Sequence, residues 1–148
     1  FLGYFERWDS LRNFEISKEN GFQSYDENLE GCYFNFEKLD NYQHGIHDYF
    51  KFLKFGFGRA TDQLCYSIRR GLITRTEALK KVKLLEGQYP KSYMGKSISQ
   101  ILNKIGMTIS EFNKICDKFT NKKIFKCDQK GHLVKDEKFN LTKNFEIK

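Results

Sequence analysis

Residues 45–62 read GIHDYFKFLKFGFGRATD, and basic side chains of three kinds fall in that run, among them His47, Lys54 and Arg59. An imidazole can pass a proton near neutral pH, an ammonium is a compact charge, and a guanidinium can hold a carboxylate or phosphate through two parallel N–H bonds. Gly56 and Gly58 stand just before Arg59, where a missing side chain lets backbone approach a ligand. Thr61 follows at the start of a predicted helix, whose unpaired N–H groups attract anions. The chemistry that fits is neutralising a phosphate or orienting a sugar ring. The same residues equally suit a plain Gly-rich turn between helices with Arg59 in a salt bridge, and spacing alone does not separate the two. Gly56-x-Gly58 also opens a dinucleotide fingerprint, but that motif needs a preceding strand and a third glycine where Thr61 stands, so it is rejected.

Upstream, the loop EGCYFNFEKLD adds Glu30, Asn35 and Asp40. Cysteines 32, 65, 116 and 127 have no Cys-x-x-Cys spacing, which argues against a zinc ribbon or a redox motif. Cys116, Cys127 and His132 do not make a regular ligand set, so no metal is expected. Cys32 and Cys65 are expected to be packed, reduced thiols, and the location cytoplasmic.

Several elements must position these groups. Ile46, Tyr49, Phe50, Leu53 and Phe57 recur at helical spacing and form one apolar stripe, with His47, Lys51 and Lys54 on an adjoining face. A second helix is predicted from near Ala60 to Gly71, capped by Thr61 or Asp62, with Leu64, Cys65 and Ile68 inward. Thr74 with Glu77 and Thr108 with Glu111 fit the capping box, and Met107 with Phe112 fits the hydrophobic staple. Ile98, Ile101, Leu102 and Ile105 mark another helix, closed by Gly106. Residues 1–8 favour a short strand, after which Asp9 or Ser10 can cap a helix reaching about Asn20. Residues 22–40 suit an ordered loop, and residues 121–148 a basic, loosely packed tail with a turn at 128–131. The expected fold is mostly α: a compact bundle of about five short helices with a short N-terminal strand–helix remnant of an α/β nucleotide-binding domain.

Net charge is +7, with an acidic excess in the first fifty residues and a basic excess after them. Most of that positive charge is dispersed lysine, which suits a solvated surface, and no nucleic-acid-binding pattern is present. No apolar stretch reaches the roughly 18 residues of a membrane-spanning helix. The chain opens FLGYFERWD, with neither an initiator Met nor a signal-peptide pattern, and is expected to be part of a larger enzyme.

GIHDYFKFLKFGFGRATD, followed by IRRGLITRTEALKKVK and IGMTISEF, resembles the C-terminal region of the N-acetyl sugar amidotransferase family over about residues 4–119. These are the PseA- and WbpG-like proteins of flagellin and lipopolysaccharide sugar pathways. The resemblance implies a PP-loop ATP pyrophosphatase that uses ATP with Mg2+ to activate a sugar acetamido oxygen. Ammonia from a glutaminase subunit then gives the acetamidino group, a C–N ligase type of chemistry. It implies that residues 1–40 end a PP-loop-type domain, that residues 41–120 form a helical C-terminal domain, and that an SGGxDS-type phosphate loop lies outside the chain. Positions matching the family pattern are Glu30, Asn35, His47, Lys54, Gly56, Gly58, Arg59 and Thr61. By this resemblance Lys54 and Arg59 hold phosphate, His47 orients substrate or shuttles a proton, and Glu30 positions ammonia or the sugar. A non-catalytic module that docks the glutaminase or a second protomer is the alternative.

Overall fold

The computed structural model describes residues 1–6 and 8–145. It is mostly helical: α1 (Ser10–Glu19), α2 (His44–Phe55), α3 (Arg59–Arg69), α4 (Arg75–Leu85), α5 (Ile98–Asn103) and α6 (Ile109–Phe119). One small antiparallel hairpin, β1 (Ser92–Tyr93) and β2 (Lys96–Ser97), pairs Tyr93 with Lys96. Of the strand expected over residues 1–8, nothing is formed among the described residues. Leu2–Tyr4 makes a 3-10 turn instead, and its apolar side chains are exposed. Aromatic β-formers need a neighbouring strand to complete their hydrogen bonds, and none lies beside them among the described residues.

Helix starts follow their caps. The Asp9 carboxylate accepts from Arg12 N–H at 3.1 Å to open α1. It also accepts from the Tyr66 hydroxyl and pairs with Arg70, which ties α1 to α3. Both predicted capping boxes are present, and Ser97 with Gln100 forms a third that opens α5. Hydrogen bonds from Thr74 and Thr108 hold the Glu77 and Glu111 carboxyls below the usual carboxylate range. A folded-state pKa below the unfolded value stabilises at pH above the unfolded value, and that stabilisation is lost as pH falls through the folded one. Amide exchange at the first turns of α4 and α6 is therefore expected to quicken relative to mid-helix amides as pH drops below the ordinary glutamate range. Unchanged relative rates would contradict the capping roles.

The main core joins Tyr49, Phe52 and Leu53 of α2 to Ile98 and Leu102 of α5, Phe112 and Cys116 of α6, and Phe125. Met107 packs against the same cluster as Phe112, as the staple spacing predicts. Phe57, placed in the apolar stripe by spacing, lies beyond the end of α2 and is exposed. Residues 121–145 are not loosely packed as expected. Phe125 is fully buried, and bridges join Phe125 to Lys143, Cys127 to Leu133 and Lys135 to Leu141. The predicted turn closes with Gly131 N–H on the Asp128 carbonyl at 3.0 Å.

Two smaller clusters fix what surrounds the FGFG run. Ala60 and Leu64 of α3 pack on Ala78 and Val82 of α4, while Leu29 and Cys32 pack on Tyr93 and Ile101. Cys65 is exposed rather than inward, because Leu64 and Ser67 take the buried face of α3. Residues 22–40 form an ordered loop clipped by buried Gln63, whose Oε1 accepts from Tyr33 and Phe34 N–H at 2.6 and 3.1 Å.

Candidate functional site

α2 ends where Gly56 takes up a left-handed conformation, φ 76°. Phe57 and then Gly58, whose backbone is extended, lead into α3. A Cβ at Gly56 would lie 2.9 Å from the Ile124 methyl Cγ2. Gly56→Ala therefore combines a backbone penalty with a clash, and is expected to cost about 1–2 kcal/mol, read as a shift in urea unfolding. A cost near zero would show that the junction relaxes freely. Lys143 Nζ donates to the Gly56 carbonyl at 2.6 Å, and Asn121 N–H donates to Leu53 C=O at 2.9 Å, so residues 121–145 clamp the junction from outside.

A cleft of about 180 Å³ opens beside this junction. Its walls include Glu30 and Gly31, Asp48 and Tyr49 of α2, Gly58 and Arg59, Glu86 and Gly87, and Ser92. Asp48, absent from the sequence-derived residues, is its hub and is 7% exposed. One carboxylate oxygen accepts from Arg59 Nε at 3.3 Å and the other meets His47 Nδ1 at 3.0 Å. Burial works to lower the Arg59 pKa, but the charge and hydrogen bond of Asp48, with Glu37 and Asp62 behind them, turn the net shift upward. The neighbouring Cys32 thiol is pushed up to about 12, chiefly by burial and further by Asp48, so it stays protonated.

The opening of α3 already holds an internal anion. Glu86 Oε1 accepts from Thr61 N–H at 2.5 Å, and Ala60 N–H donates to the Gly31 carbonyl at 3.1 Å. Neither Thr61 nor Asp62 caps the helix as expected; the acceptor comes from the end of α4, twenty-five residues away. Glu86→Ala is expected to cost about 1 kcal/mol, in line with loss of an N-cap. Faster exchange of the Thr61 amide would mark it, and an unchanged rate would remove Glu86 from that role.

Of the eight residues taken from the sequence, Glu30, Gly58 and Arg59 line the cleft. Thr61 joins through its N–H to Glu86, and His47 through Asp48. Glu30 accepts from Lys91 and Ser92 N–H at 3.0 and 3.2 Å and from the Ser92 hydroxyl at 2.8 Å. Asn35 and Lys54 lie elsewhere: Asn35 Nδ2 donates to Tyr25 C=O at 2.6 Å, and Lys54 sits over the Phe119 ring at 4.9 Å. A wider groove of about 710 Å³, lined by Asn41, Tyr42, Gln43, Lys96, Gln100 and others, contains none of the eight. Sequence signals for the missed residues differ in strength. Asp48 follows His47 inside an amphipathic helix, where an inward carboxylate calls for a cationic partner; Glu86 has no local signal.

Helices, caps and cleft together define a mostly helical domain. The family description "LPS biosynthesis protein WbpG-like, C-terminal domain" matches residues 11–142, and the chain belongs to this family. Curated proteins give no match. No helix among the described residues is long and apolar enough to cross a membrane.

Proposed function

We propose that the chain is the C-terminal domain of an ATP-dependent amidotransferase that converts a sugar N-acetyl group to acetamidino, with ammonia supplied by a glutaminase subunit. In this reading its cleft receives the acetamido end of the sugar. The observation that carries the assignment is the Asp48–Arg59 pair, a buried carboxylate with a partly buried guanidinium on a cleft wall inside a chain of the WbpG-like family. Whole-ligand pockets usually run about 300–1,000 Å³, so a cleft of about 180 Å³ suits a substituent better than a nucleotide. The carboxylates of Asp48 and Glu86 also sit on the groups a polyphosphate would seek, Arg59 and the α3 N-terminus. ATP with Mg2+ is accordingly assigned to the phosphate loop of the parent enzyme. Arg59, Glu30 and His47 are assigned to the sugar side, with Gly58 giving backbone access.

The test is turnover of the full-length enzyme with ATP, ammonium and an N-acetylated sugar. Arg59→Lys keeps the charge but loses the planar fork, and is expected to lower kcat/KM by at least about tenfold. A near-wild-type value would remove Arg59 from the site, and no acetamidino product from wild type would overturn the reading. A second reading, docking of a protein partner, draws on exposed Phe55, Phe57 and Phe119, with Lys51 over Phe57 and Lys54 over Phe119. Loss of glutaminase capture in Phe57→Ser with ammonium-dependent turnover intact would favour it.

A further inference from the structure

We propose that Asp48, on the cleft wall, is a positioning residue that fixes the tautomer of His47 and turns its other ring nitrogen into a solvent-exposed proton acceptor beside the cleft. A carboxylate has no proton to give, so the 3.0 Å contact between Asp48 Oδ1 and His47 Nδ1 requires the ring to donate from Nδ1. The neutral ring then carries its lone pair on Nε2. The His47 side chain is 70% exposed whereas the Asp48 side chain is 8% exposed, so the orienting group is buried and the oriented one is accessible. Arg59 holds the second carboxylate oxygen at 3.3 Å, which stops the carboxylate from turning away. Nearby, burial keeps Cys32 and Tyr93 protonated, and neither adds a competing negative charge. A buried acid that sets which imidazole nitrogen bears the proton is a recurring arrangement in proton-transfer sites.

This inference rests on the amidotransferase reading for its chemistry. As ammonia attacks the activated carbon a C–N bond forms, and the attacking nitrogen must shed a proton. His47 Nε2 takes that proton. The C–O bond to the adenylate then breaks, and AMP leaves with the former acetamido oxygen.

Two measurements test it. Nitrogen-15 NMR of the 148-residue chain, at a pH where the ring is neutral, should show His47 protonated on Nδ1; a proton on Nε2 would overturn the proposal. In the full-length enzyme, His47→Gln should lower kcat by about 100-fold or more and Asp48→Asn by about 10–100-fold. If Asp48 acts through His47, the double variant should be no slower than the slower single one. Multiplying losses would mark Asp48 as merely structural, and an unaffected His47→Gln would also overturn the proposal. Should Asp48→Asn not fold, the wild-type tautomer and His47→Gln still decide. If wild type makes no amidine, the functional reading fails while the tautomer still settles the pairing.

Discussion

Phe125→Ala is expected to destabilise the chain by about 3–5 kcal/mol, the usual cost of emptying an aromatic site in a closed core. Phe125 is fully buried, its ring lies 5.3 Å from that of Phe52, and it shares a cluster with Leu53, Leu102 and Phe112. Its neighbours are held by backbone bonds such as Lys126 N–H to Thr142 C=O at 2.8 Å and Asn144 N–H to Ile124 C=O at 2.8 Å, so the segment has little room to collapse into the void. Urea unfolding measures the loss, and a cost below about 1 kcal/mol would show that residues 121–145 are an appendage. The consequence reaches the cleft, because Lys143 and Ile124 of this segment bear on Gly56.

The second large effect is expected from Arg59→Met. It leaves the Asp48 carboxylate buried without its cationic partner, and breaking a buried pair in this way costs about 3–5 kcal/mol. Arg59 keeps 21% of its side chain exposed, which places the expected value at about the lower end of that range. Adding Asp48→Asn removes the stranded charge and should recover part of the loss. If Arg59→Met unfolds at the wild-type midpoint, the pair is not a structural anchor. If the double variant is no better than the single one, the cost lies in packing rather than charge.

The helices were readable because their signals are local. Thr74 with Glu77, Thr108 with Glu111 and the stripe of Ile46, Tyr49, Phe50 and Leu53 each lie within two or three turns of chain. Ser97 with Gln100 carries the same capping signature at the start of the helix that Ile98, Ile101 and Leu102 mark by their spacing. The packing of residues 121–145 is hidden in the sequence because lysines obscure the alternation, and because their bridges pair positions up to eighteen residues apart. At the cleft, Arg59 and the glycines announced themselves by type and spacing. The local pattern leaves a salt bridge for Arg59 open; what it does not show is which carboxylates Arg59 and the α3 N-terminus find inside the protein. Asp48 comes from the preceding helix and Glu86 from the end of the following one, and both contacts exist only once three helices have packed. Lys54 looked similar to Arg59 in sequence, yet one turn of α2 sends it to the Phe119 ring instead.

The claim that the Asp48–Arg59 cleft receives the N-acetylated sugar is tested most directly by hydrogen–deuterium exchange on the full-length enzyme, with and without that sugar. Protection is expected at residues 28–31, 58–59 and 86–88, which form the cleft walls. Protection confined to residues 41–43 and 96–104, the wider groove, or no protection in this domain at saturating sugar, would contradict it.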